Sequence, residues 1–424
     1  MCEKRIFLMK KKRILLISHN FSPEPIGIGK YNGEMINWLS ENGHDCTVVT
    51  TFPYYPQWKI QEPYKNSWYK KETISNSKND SVVKIYRCPS YIPTNPTGKQ
   101  RAIQDFSIWV SKFFVIFAFV LQRRKYDLII NIAPPFHLAY LGLMLRAFNG
   151  GKLLYHVQDM QIEAARDLKM FYHENVLSGL FKIEHKIFES ADYVSSISTG
   201  MINKINSKIN KEVAFFPNWV DTVFFCPLPD KAALKKKWNY EHDDVVFLYS
   251  GASGVKQGLE DLLVAAGELK HHKKIKFIIS SSGPYKEELA KKAAGKGLSN
   301  ISFLPLQKKE IFNEFLNMAD VHLVMQKAKA GDLVMPSKLA TIFAVGGVSI
   351  VTSSPGTSLY KMIDENNLGY IVDPGKSDLL VEKILELEKG HDSAISLNAR
   401  NYALKYLNID SVMEKFLTKL LQNT

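Results

Sequence analysis

Three segments of the sequence carry residue types and spacings that suit the binding of an anionic group. In the first, SPEPIGIGKYNGE, Gly27 and Gly29 allow a tight turn whose backbone amides approach a ligand at a helix N-terminus. The second, residues 249–258, combines Gly251 with Lys256. A glycine-rich turn with one lysine suits a diphosphate, because amides donate several hydrogen bonds and the lysine supplies a point charge.

The third segment, residues 331–338, contains a proline that is typical of the first position of a helix. A helix that begins at Pro336 would point its free amides towards a ligand. Asp332, just before it, is placed to accept hydrogen bonds from sugar hydroxyls. This segment therefore predicts a sugar-phosphate contact.

Both glycine turns have a purely structural alternative. In the first, Asn32 stands where the dinucleotide fingerprint has glycine, and Thr50 and Thr51 stand where that fingerprint has an acid after the second strand. The second is not a Walker A loop, since no Gly-Lys-Ser/Thr follows at the required spacing. A plain turn and a solvated Lys256 stay open as readings. NAD and FAD are disfavoured.

A histidine and an aspartate follow at the end of a further strand pattern. His156 and Asp159 lie in the segment YHVQD, and ligands bind at the carboxyl ends of strands in open α/β sheets. His156 is a candidate donor or acid/base group, and a satisfied structural histidine is the alternative. Asp159 and Glu34 are the other candidate bases.

Metal chemistry has little support in the sequence. The cysteines Cys2, Cys46, Cys88 and Cys226 lie far apart, and no Asp-x-Asp pair or Cys/His cluster occurs. We therefore expect no metal and no other cofactor. Such cysteine usage is typical of a reducing cytoplasm.

The elements that must position these residues alternate between strand and helix in both halves of the chain. Strands are predicted at 13–18, 46–51, 128–132, 152–156 and 193–198, and again at 245–250, 276–280, 301–303, 321–325 and 349–352. Helices are predicted over 29–42 and 137–148. This alternation predicts an α/β protein with two doubly wound domains, joined near Phe216–Asp221.

A long segment between the predicted strands is rich in aromatic residues. Residues 52–81 show little periodicity and are interpreted as one long loop. Tyr54, Tyr55 and Trp58 in this loop are candidates for stacking on sugar rings, and packing against their own domain is the alternative.

The chain has a net charge of +13, which suits nucleic acid, anionic lipid or phosphorylated small molecules. Its most membrane-like segment, residues 108–121, is interrupted by Ser111 and Lys112 and is interpreted as too short to span a bilayer. It is either a buried helix or an interfacial element. For the second case the predicted lipid contacts are Trp109, Phe113, Phe114 and Phe117, and the cations predicted to meet lipid phosphates are Lys112, Arg123 and Arg124. No secretory signal peptide is expected at the N-terminus.

Taken together, five motifs resemble those of the GT-B glycosyltransferases of family 4. These are GIGKYNGEM, FPYYPQW, the loop with KQGLE, VMPSKL and FAVGG, in the family's order and over residues 13–406. The sequence is most similar to bacterial colanic-acid and O-antigen enzymes that are fucosyl or N-acetylfucosaminyl transferases. The resemblance implies two Rossmann-like domains that face an interdomain cleft: an acceptor-side domain over 1–217, a nucleotide-sugar domain over 218–405, and a last helix over 406–424 that crosses back.

The resemblance also implies a role for each matching residue. The donor would contact Gly27, Gly29, Gly251, Lys256, Ser282, Gly283, Leu333, Val334, Ser337, Lys338 and Thr341. The acceptor would contact Tyr31, Asn32, Tyr54, Tyr55, Trp58 and Asp159. His156 and Asp332 would lie beside the transferred sugar as catalytic candidates.

Three positions depart from the family pattern. Ala252 replaces an arginine that commonly follows the phosphate-loop glycine, so Lys327, Lys329 or Lys338 is expected to neutralise the diphosphate instead. Thr341 stands where a ribose-binding glutamate is expected. Asp332 lies out of register with the first glutamate of the family's pair.

The expected function is transfer of a sugar, with retention and without metal, from a nucleoside diphosphate to a lipid-linked oligosaccharide in surface polysaccharide synthesis. This predicts a peripheral protein on the cytoplasmic face of the plasma membrane, with anionic lipid as a partner. One alternative is a sugar-nucleotide epimerase, for which Glu163, Glu184 and His185 are available. The other is a basic nucleic-acid-binding protein, although no RNA- or DNA-binding motif occurs and nucleic acid is not expected as a partner.

Overall fold

The computed structural model describes residues 11–25, 27–76, 79–94, 97–167, 174–328 and 336–421. The chain divides into two units. Unit 1 contains the residues up to Phe216 and those from Lys415 onward, and unit 2 contains Pro217–Glu414.

Unit 1 is built on a sheet of eight described strands in the order β3-β4-β2-β1-β5-β6-β7-β8. All neighbours pair in parallel except β3, which is antiparallel to β4. The central strands are continuous apolar runs, as expected where helices cover both faces of a sheet. The bounds are β1 Arg13–Ile17, β2 Asp45–Thr51, β3 Lys70–Ser75, β4 Val82–Cys88, β5 Leu128–Ala133, β6 Lys152–Val157, β7 Tyr193–Ser196 and β8 Val213–Phe215.

The helices of unit 1 connect successive strands. They are α1 Gly27–Glu41, α2 Gly98–Leu121, α3 Ala139–Asn149, α4 Gln161–Asp167, α5 Glu174–Ser190 and α6 Thr199–Asn206, with a 3-10 turn at Phe136–Leu138. A capping box between Thr97 and Gln100 fixes the start of α2. Helix α2 packs against α3, and α3 packs against α5.

Unit 2 has a six-stranded, all-parallel sheet in the order β11-β10-β9-β12-β13-β14. Its strands are β9 Val245–Ser250, β10 Ile275–Ser280, β11 Ile301–Leu304, β12 Val321–Val324, β13 Val348–Thr352 and β14 Tyr370–Val372. Its helices are α7 Lys231–Lys237, α8 Glu260–Glu268, α9 Pro284–Gly295, α10 Lys309–Met318, α11 Lys338–Ala344, α12 Ser358–Glu365, α13 Ser377–Glu388 and α14 Ser393–Tyr402. Apolar clusters on both faces of this sheet form the core.

Each sheet has a point at which the strand order reverses, and such points are where open α/β sheets bind ligands. In unit 1 the reversal lies at β1, which is flanked by β2 and β5. In unit 2 it lies at β9, which is flanked by β10 and β12. The prediction of two doubly wound, Rossmann-like domains is therefore confirmed.

Several predicted boundaries were wrong. Residues 52–81 are not one long loop, because β3 lies within them as the antiparallel edge strand. Strands β4, β8 and β14 were not predicted, and α1 begins at Gly27 rather than at residue 29. Short edge strands such as β8 and β14 carry too few residues for a visible period.

The chain returns to unit 1 later than residue 406. A π-helical turn at Ala403–Leu407 follows α14, and the Val220 amide donates to the Leu407 carbonyl at 2.8 Å, which ties this turn to unit 2. The last helix, α15 Ile409–Leu421, begins in unit 2, and in unit 1 Phe416 stacks on Phe216 with ring centroids 3.8 Å apart.

Candidate functional site

The site in unit 2 is organised around a buried lysine. Lys338 is the first residue of α11, and its ammonium group is buried without a hydrogen-bond partner among the described residues. Its Nζ lies 3.4 Å from the centroid of the Tyr249 ring. Burial lowers the pKa of Lys338 to about 7.

This position is unfavourable for a cation in the empty protein. The N-terminus of a helix carries partial positive charge, so a lysine there is repelled rather than stabilised. The Tyr249 ring offsets part of that cost through a cation–π contact. An anion bound at this point would supply the missing partner.

The glycine turn after β9 lies directly against this lysine. Gly251 has a φ of 132°, and a Cβ built on it would lie 3.4 Å from Lys338 Nζ. The Tyr249 hydroxyl donates to the Ala252 carbonyl and so holds the turn to its own strand. Lys338 therefore lies beside Ala252, where the family pattern has an arginine, and of the two described lysines considered for that role, Lys327 and Lys338, it is the one in contact with Gly251.

The other two lysines are placed differently. Lys327 is exposed, lies 4.0 Å from Glu260, and donates its backbone N–H to the Lys256 carbonyl. Lys329 lies outside the described residues, as do Asp332, Leu333 and Val334. The predicted roles of those four residues stay predictions.

The remaining unit 2 candidates surround the same strand ends. Lys256 is exposed in a 3-10 turn after β9, and Ser282 and Gly283 are exposed at the start of α9. The Ser253 hydroxyl donates to the Ser282 carbonyl at 3.3 Å, which connects the two loops. Lys256, Ser282 and Gly283 are thus brought together around the β9 and β10 ends.

Ser337 and Thr341 belong to α11. Ser337 is exposed and precedes the helix without making a side-chain cap. The Thr341 hydroxyl donates to the Lys338 carbonyl at 2.8 Å, one turn back along the helix. Thr341 is thus engaged with its own helix backbone.

In unit 1 the loop after β1 holds a buried carboxyl group that sequence reasoning did not select. Glu24 Oε1 accepts the backbone N–H groups of Tyr54 and Tyr55 at 2.9 and 3.0 Å. Burial raises the pKa of Glu24 to about 7, although those two amides favour the charged form. The one sequence feature that could have drawn attention to Glu24 is its place between Pro23 and Pro25.

The glycines of this loop are there for space and for conformation. A Cβ on Gly29 would lie 2.4 Å from Glu24 Oε2, so only glycine lets α1 approach the carboxyl group. Gly27 has a φ of 63°, a left-handed conformation that favours glycine. Both glycines shape the loop, as the motif predicted.

Two predicted acceptor residues are engaged inside unit 1. Asn32 is buried and its amide donates to Ser18 Oγ and to the Asn20 carbonyl at 2.6 and 2.9 Å, which fastens α1 to the end of β1. Tyr31 is buried as well. Both are thus placed to support the loop.

His156 lies within β6 and is buried. Its Nδ1 is hydrogen-bonded to Ser195 Oγ at 2.9 Å, and its ring centroid lies 5.0 Å from that of Phe216. Burial lowers the pKa of His156 to about 3, so the ring is neutral at pH 7. The geometry satisfies this histidine internally, and Asp159, beyond the same strand, is exposed.

The aromatic residues after β2 form a cluster at the strand ends. Tyr54 and Tyr55 contact Trp58, with ring centroids 5.7 and 6.5 Å apart, and the Arg101 guanidinium lies 5.3 Å from the Trp58 ring. Tyr54 is buried, whereas Tyr55 and Trp58 are half-buried. Tyr55 and Trp58 therefore keep ring surface for a ligand.

Burial shifts the pKa of two further ionisable groups in α2. Asp105 was missed by sequence reasoning, whereas Lys112 was expected to meet lipid phosphates, and that expectation was wrong because its side chain is buried. Burial raises the pKa of Asp105 to about 6, and Gln161 donates to its Oδ2 at 3.0 Å. Lys112, on the buried face of α2, has no hydrogen-bond partner among the described residues, and burial lowers its pKa to about 8. Each sits in a helix whose sequence looks like an ordinary core segment.

Helix α2 has two faces of different character. It buries Ile108, Lys112, Ile116 and Phe119 against unit 1, and it exposes 68% of Phe106, 59% of Phe114, 43% of Phe117 and 69% of Leu121. Trp109, Phe113 and Phe117 stack in sequence at centroid distances of 5.5 and 5.6 Å. The helix is thus buried along one face only, and its role as an interfacial element stays a prediction.

The expectation that this segment is too short to span a membrane was wrong about length. Helix α2 starts at Gly98, ten residues before the apolar run, and among the described helices it is the one that is long and apolar enough to cross a membrane by length and composition. One third of its most apolar stretch is buried in the protein.

The two arginines after α2 differ. Arg123 is exposed, but Arg124 donates to Tyr86 Oη at 2.8 Å and lies 4.2 Å from the Phe119 ring. Arg124 is therefore bound to its own unit, and the exposed cations at this end of the helix are Arg123 and Lys125.

Metal-ligating side chains do not cluster within the described part of the chain. No group of three or more His, Cys, Asp or Glu residues there could hold a metal ion. The carboxylates considered for an epimerase, Glu163 and Glu184, both pair with Lys208. They are used to hold α4 and α5 to the chain after α6.

Comparison with known proteins finds a matching family model and a relative that is similar over nearly the whole chain. Residues 230–404 match the family model described as glycosyl transferases group 1. Over 419 residues the chain is 35% identical to WcaI of Escherichia coli K12, which carries the name of a colanic acid biosynthesis glycosyl transferase; the match covers 96% of this chain and 99% of WcaI.

Solved structures share the fold at low sequence identity. A sucrose-phosphate synthase from Thermosynechococcus elongatus has a TM-score of 0.74 at 15% identity, and the match covers 98% of this chain and all of that one. HepE from Anabaena, solved with UDP and glucose, has a TM-score of 0.68 at 13% identity, covering 97% of this chain and all of its own.

Proposed function

This chain belongs to the group 1 glycosyltransferase family with the GT-B fold, and from that premise we propose that it transfers a sugar from a nucleoside diphosphate to a growing surface polysaccharide. That it is a glycosyltransferase follows from the family. The donor, the acceptor and the stereochemistry are our proposal. The relationship to a protein named for colanic acid biosynthesis supports the polysaccharide assignment.

The observation that carries the donor assignment is the buried ammonium of Lys338 beside Gly251, which has no hydrogen-bond partner in the part of the chain that the structure describes. A buried cation at a helix N-terminus costs free energy unless an anion joins it. The diphosphate of a sugar nucleotide carries two or more negative charges, and we propose that it binds at the glycine turn that Lys338 contacts. Lys256 and the amides at the start of α9 would contact the same group.

Sugar transfer requires that the departing diphosphate be stabilised. When the bond between the sugar C1 and the phosphate oxygen breaks, negative charge grows on the diphosphate, and positioned cations stabilise it most in the transition state. The new bond forms between C1 and the acceptor oxygen on the same face. The acceptor proton passes to the departing phosphate oxygen, so no separate base is required.

We propose that this reaction retains the anomeric configuration and needs no metal. Lys338 and Lys256 would perform the neutralisation that a metal ion performs in other transferases. The buried, neutral His156 fits a positioning role beside the transferred sugar better than a proton-transfer role, because protonation of its ring is disfavoured.

The acceptor is assigned to unit 1. Tyr55 and Trp58 offer ring faces at the carboxyl end of the sheet, where saccharides stack on aromatic groups. Glu24 fixes that loop through the Tyr54 and Tyr55 amides. We propose that these aromatic residues bind the terminal sugar of the acceptor.

A lipid-linked acceptor accounts for the character of α2. Its exposed phenylalanines and the adjacent Arg123 and Lys125 combine an apolar stripe with cations, which is the composition of an element that lies in a membrane interface. We propose that the protein is peripheral on the cytoplasmic face of the plasma membrane. There it would add a sugar, with fucose and N-acetylfucosamine as the first candidates, to a membrane-borne oligosaccharide.

The test is a panel of nucleotides on the purified full-length protein in the presence of EDTA. We expect one nucleoside diphosphate among UDP, GDP, dTDP and CDP to raise Tm in a saturable manner, because a ligand that binds only the folded state stabilises it. Stabilisation by NAD alone, or by random RNA and no nucleotide, would refute the proposal.

A further inference from the structure

One groove among the described residues lies along α5 in unit 1, and its lining includes none of the residues assigned to the donor or the acceptor. It is an open groove of about 1100 Å³. Its apolar lining comes from Leu177, Phe181 and Ile183, and its cations are Arg166, Lys182, Lys186 and Lys208. We refer to it as the α5 groove.

The lysines of the α5 groove differ in whether they form ion pairs. Lys208 pairs with the buried Glu163 and Glu184 and contacts the Phe181 ring, so it is part of the structure of the groove. Lys182 and Lys186 are exposed, one turn apart, and form no ion pair with a residue that the structure describes. Two free ammonium groups thus stand at the edge of an apolar lining.

This combination is complementary to an anionic amphiphile. An apolar lining alone would suit any hydrocarbon, and two lysines alone would suit any anion. A molecule that carries a phosphate or diphosphate at one end of a hydrocarbon chain satisfies both.

The position of the α5 groove relative to α2 favours a membrane lipid as the anionic amphiphile. Helix α2 packs against α3, α3 packs against α5, and the Tyr140 hydroxyl on α3 donates to the Ile183 carbonyl on α5 at 3.3 Å. These three helices therefore form one layer. The exposed apolar stripe of α2 and the α5 groove belong to the same layer of unit 1.

We propose that the α5 groove binds the phosphate-linked lipid end of the acceptor, with the phosphate at Lys182 and Lys186 and the first part of the hydrocarbon chain along Leu177, Phe181 and Ile183. This inference rests on the proposed function, because it assigns a place to one part of the acceptor. It adds a lipid site that the transferase chemistry does not itself require.

The test uses farnesyl diphosphate, a soluble amphiphile, as the probe, measured by calorimetry on the full-length protein. Sodium diphosphate and farnesol are the two half-probes. We expect saturable binding of farnesyl diphosphate, at least tenfold weaker binding of either half-probe, and at least a tenfold loss of affinity in the variant Lys182→Glu/Lys186→Glu. The variant Leu177→Ser/Ile183→Ser should lose affinity while keeping its response to ionic strength.

The matched control is Lys291→Glu/Lys296→Glu, which makes the same charge change at two exposed positions near the end of α9. It should bind farnesyl diphosphate as the wild type does. Equal affinity for sodium diphosphate would overturn the proposal in favour of a simple anion patch. Binding to anionic vesicles through Lys182 and Lys186 without binding of farnesyl diphosphate would overturn it in favour of bilayer contact.

Nucleoside diphosphate binding is measured on the same samples. If nucleotide binding is normal and farnesyl diphosphate does not bind, the α5 groove assignment fails and the transferase proposal stands. If farnesyl diphosphate binds and no nucleotide does, the proposed function fails instead.

Discussion

At the residue scale, Lys338 shows how a binding site can be recognised from an unfavourable interaction. Its ammonium group is buried at a helix N-terminus, with an aromatic ring as its neighbour and no hydrogen-bond partner among the described residues. Natural proteins keep such costs mainly where function needs them. The sequence offered three lysines for this role, and of the two that the structure describes, Lys338 is the one that contacts Gly251.

Replacement of Lys338 by an uncharged residue should raise the stability of the fold while it weakens the binding of nucleoside diphosphate. The pKa of Lys338 is about 7 in the folded protein, below its ordinary value of 10.5, so the charge destabilises the fold fully below pH 7 and progressively less as pH rises towards 10.5. We expect Lys338→Met to raise Tm at pH 6 to 7 and the advantage to shrink by pH 9.5. Thermal unfolding across this range measures it.

Lys361→Met, at an exposed position on α12, is the matched control and should show no such pH dependence. The same series should show nucleoside diphosphate binding weaken above pH 7 in the wild type, because the neutral amine does not attract the anion. A Lys338→Met protein that is less stable than wild type at every pH would contradict this account of its environment.

Gly29 provides a second test at this scale. A Cβ there would lie within 2.4 Å of Glu24 Oε2 and 2.7 Å of Glu24 Cβ, so Gly29→Ala should cost about 1–3 kcal/mol of unfolding free energy through overpacking. In a Glu24→Gly background, which is itself less stable because the Tyr54 and Tyr55 amides lose their acceptor, the further cost of Gly29→Ala should be much smaller, since both atoms are absent. Denaturant unfolding of the single and double variants measures the coupling.

Gly295 in α9 is the control, because a Cβ there meets nothing within 4 Å. Gly295→Ala should be neutral or stabilising by up to about 1 kcal/mol, as alanine is the better helix former. Equal loss of stability in both glycine variants would show that the Glu24 contact is not the cause.

At the element scale, α2 joins two environments along its length. Its buried face completes the unit 1 core, whereas Phe106, Phe114, Phe117 and Leu121 form an exposed apolar stripe. Contiguous exposed apolar surface on a folded protein marks an interaction site. The charges at Arg123 and Lys125 favour an anionic membrane as the partner.

We expect Phe114→Ser/Phe117→Ser to reduce co-sedimentation with vesicles of 30% anionic lipid by at least fivefold, because the inserted apolar area is lost. Val223→Ser/Leu397→Ser removes comparably exposed apolar residues in unit 2 and should not change binding. Arg123→Glu/Lys125→Glu should weaken binding chiefly at low salt. Unchanged vesicle binding in the α2 variants would remove this helix from the account.

The same scale shows where sequence reasoning succeeded and failed. The strands of the two sheet centres were predicted within one or two residues because parallel strands are unbroken apolar runs. Strand β3, in contrast, is polar and mostly exposed, so its sequence has no pattern that separates it from a loop. Its pairing with β4 is a long-range contact that no local pattern reports.

Sequence reasoning found the site residues that belong to a motif and missed those that are unusual only because they are buried. The glycine turns and the Pro-Ser-Lys segment were found because they need particular residue types at fixed spacing. Glu24 and Asp105 were missed, and Lys112 was wrongly expected to face lipid, because burial, not residue type, makes these residues unusual. His156 was selected from its place at a strand end, and the structure adds that Ser195 and Phe216 surround it.

At the scale of the whole molecule, two sheets of like topology present their switch points at β1 and β9. Unit 2 gathers cations and glycine turns there, whereas unit 1 gathers aromatic rings and buried carboxyl groups. This division matches the needs of the two substrates of a sugar transfer, an anionic donor and a polyhydroxylated acceptor. The family relationship extends over nearly the whole chain, so both units belong to one enzyme.

The most direct test of the central claim is release of nucleoside diphosphate from a panel of sugar nucleotides, measured in EDTA with the full-length protein, bacterial lipid extract as the acceptor source, and Lys338→Met in parallel. We predict that one sugar nucleotide is consumed at least a hundredfold faster by the wild type than by Lys338→Met, with the sugar recovered in the lipid fraction. Equal turnover by the two proteins would contradict the role of Lys338. Consumption of no sugar nucleotide would contradict the proposed donor.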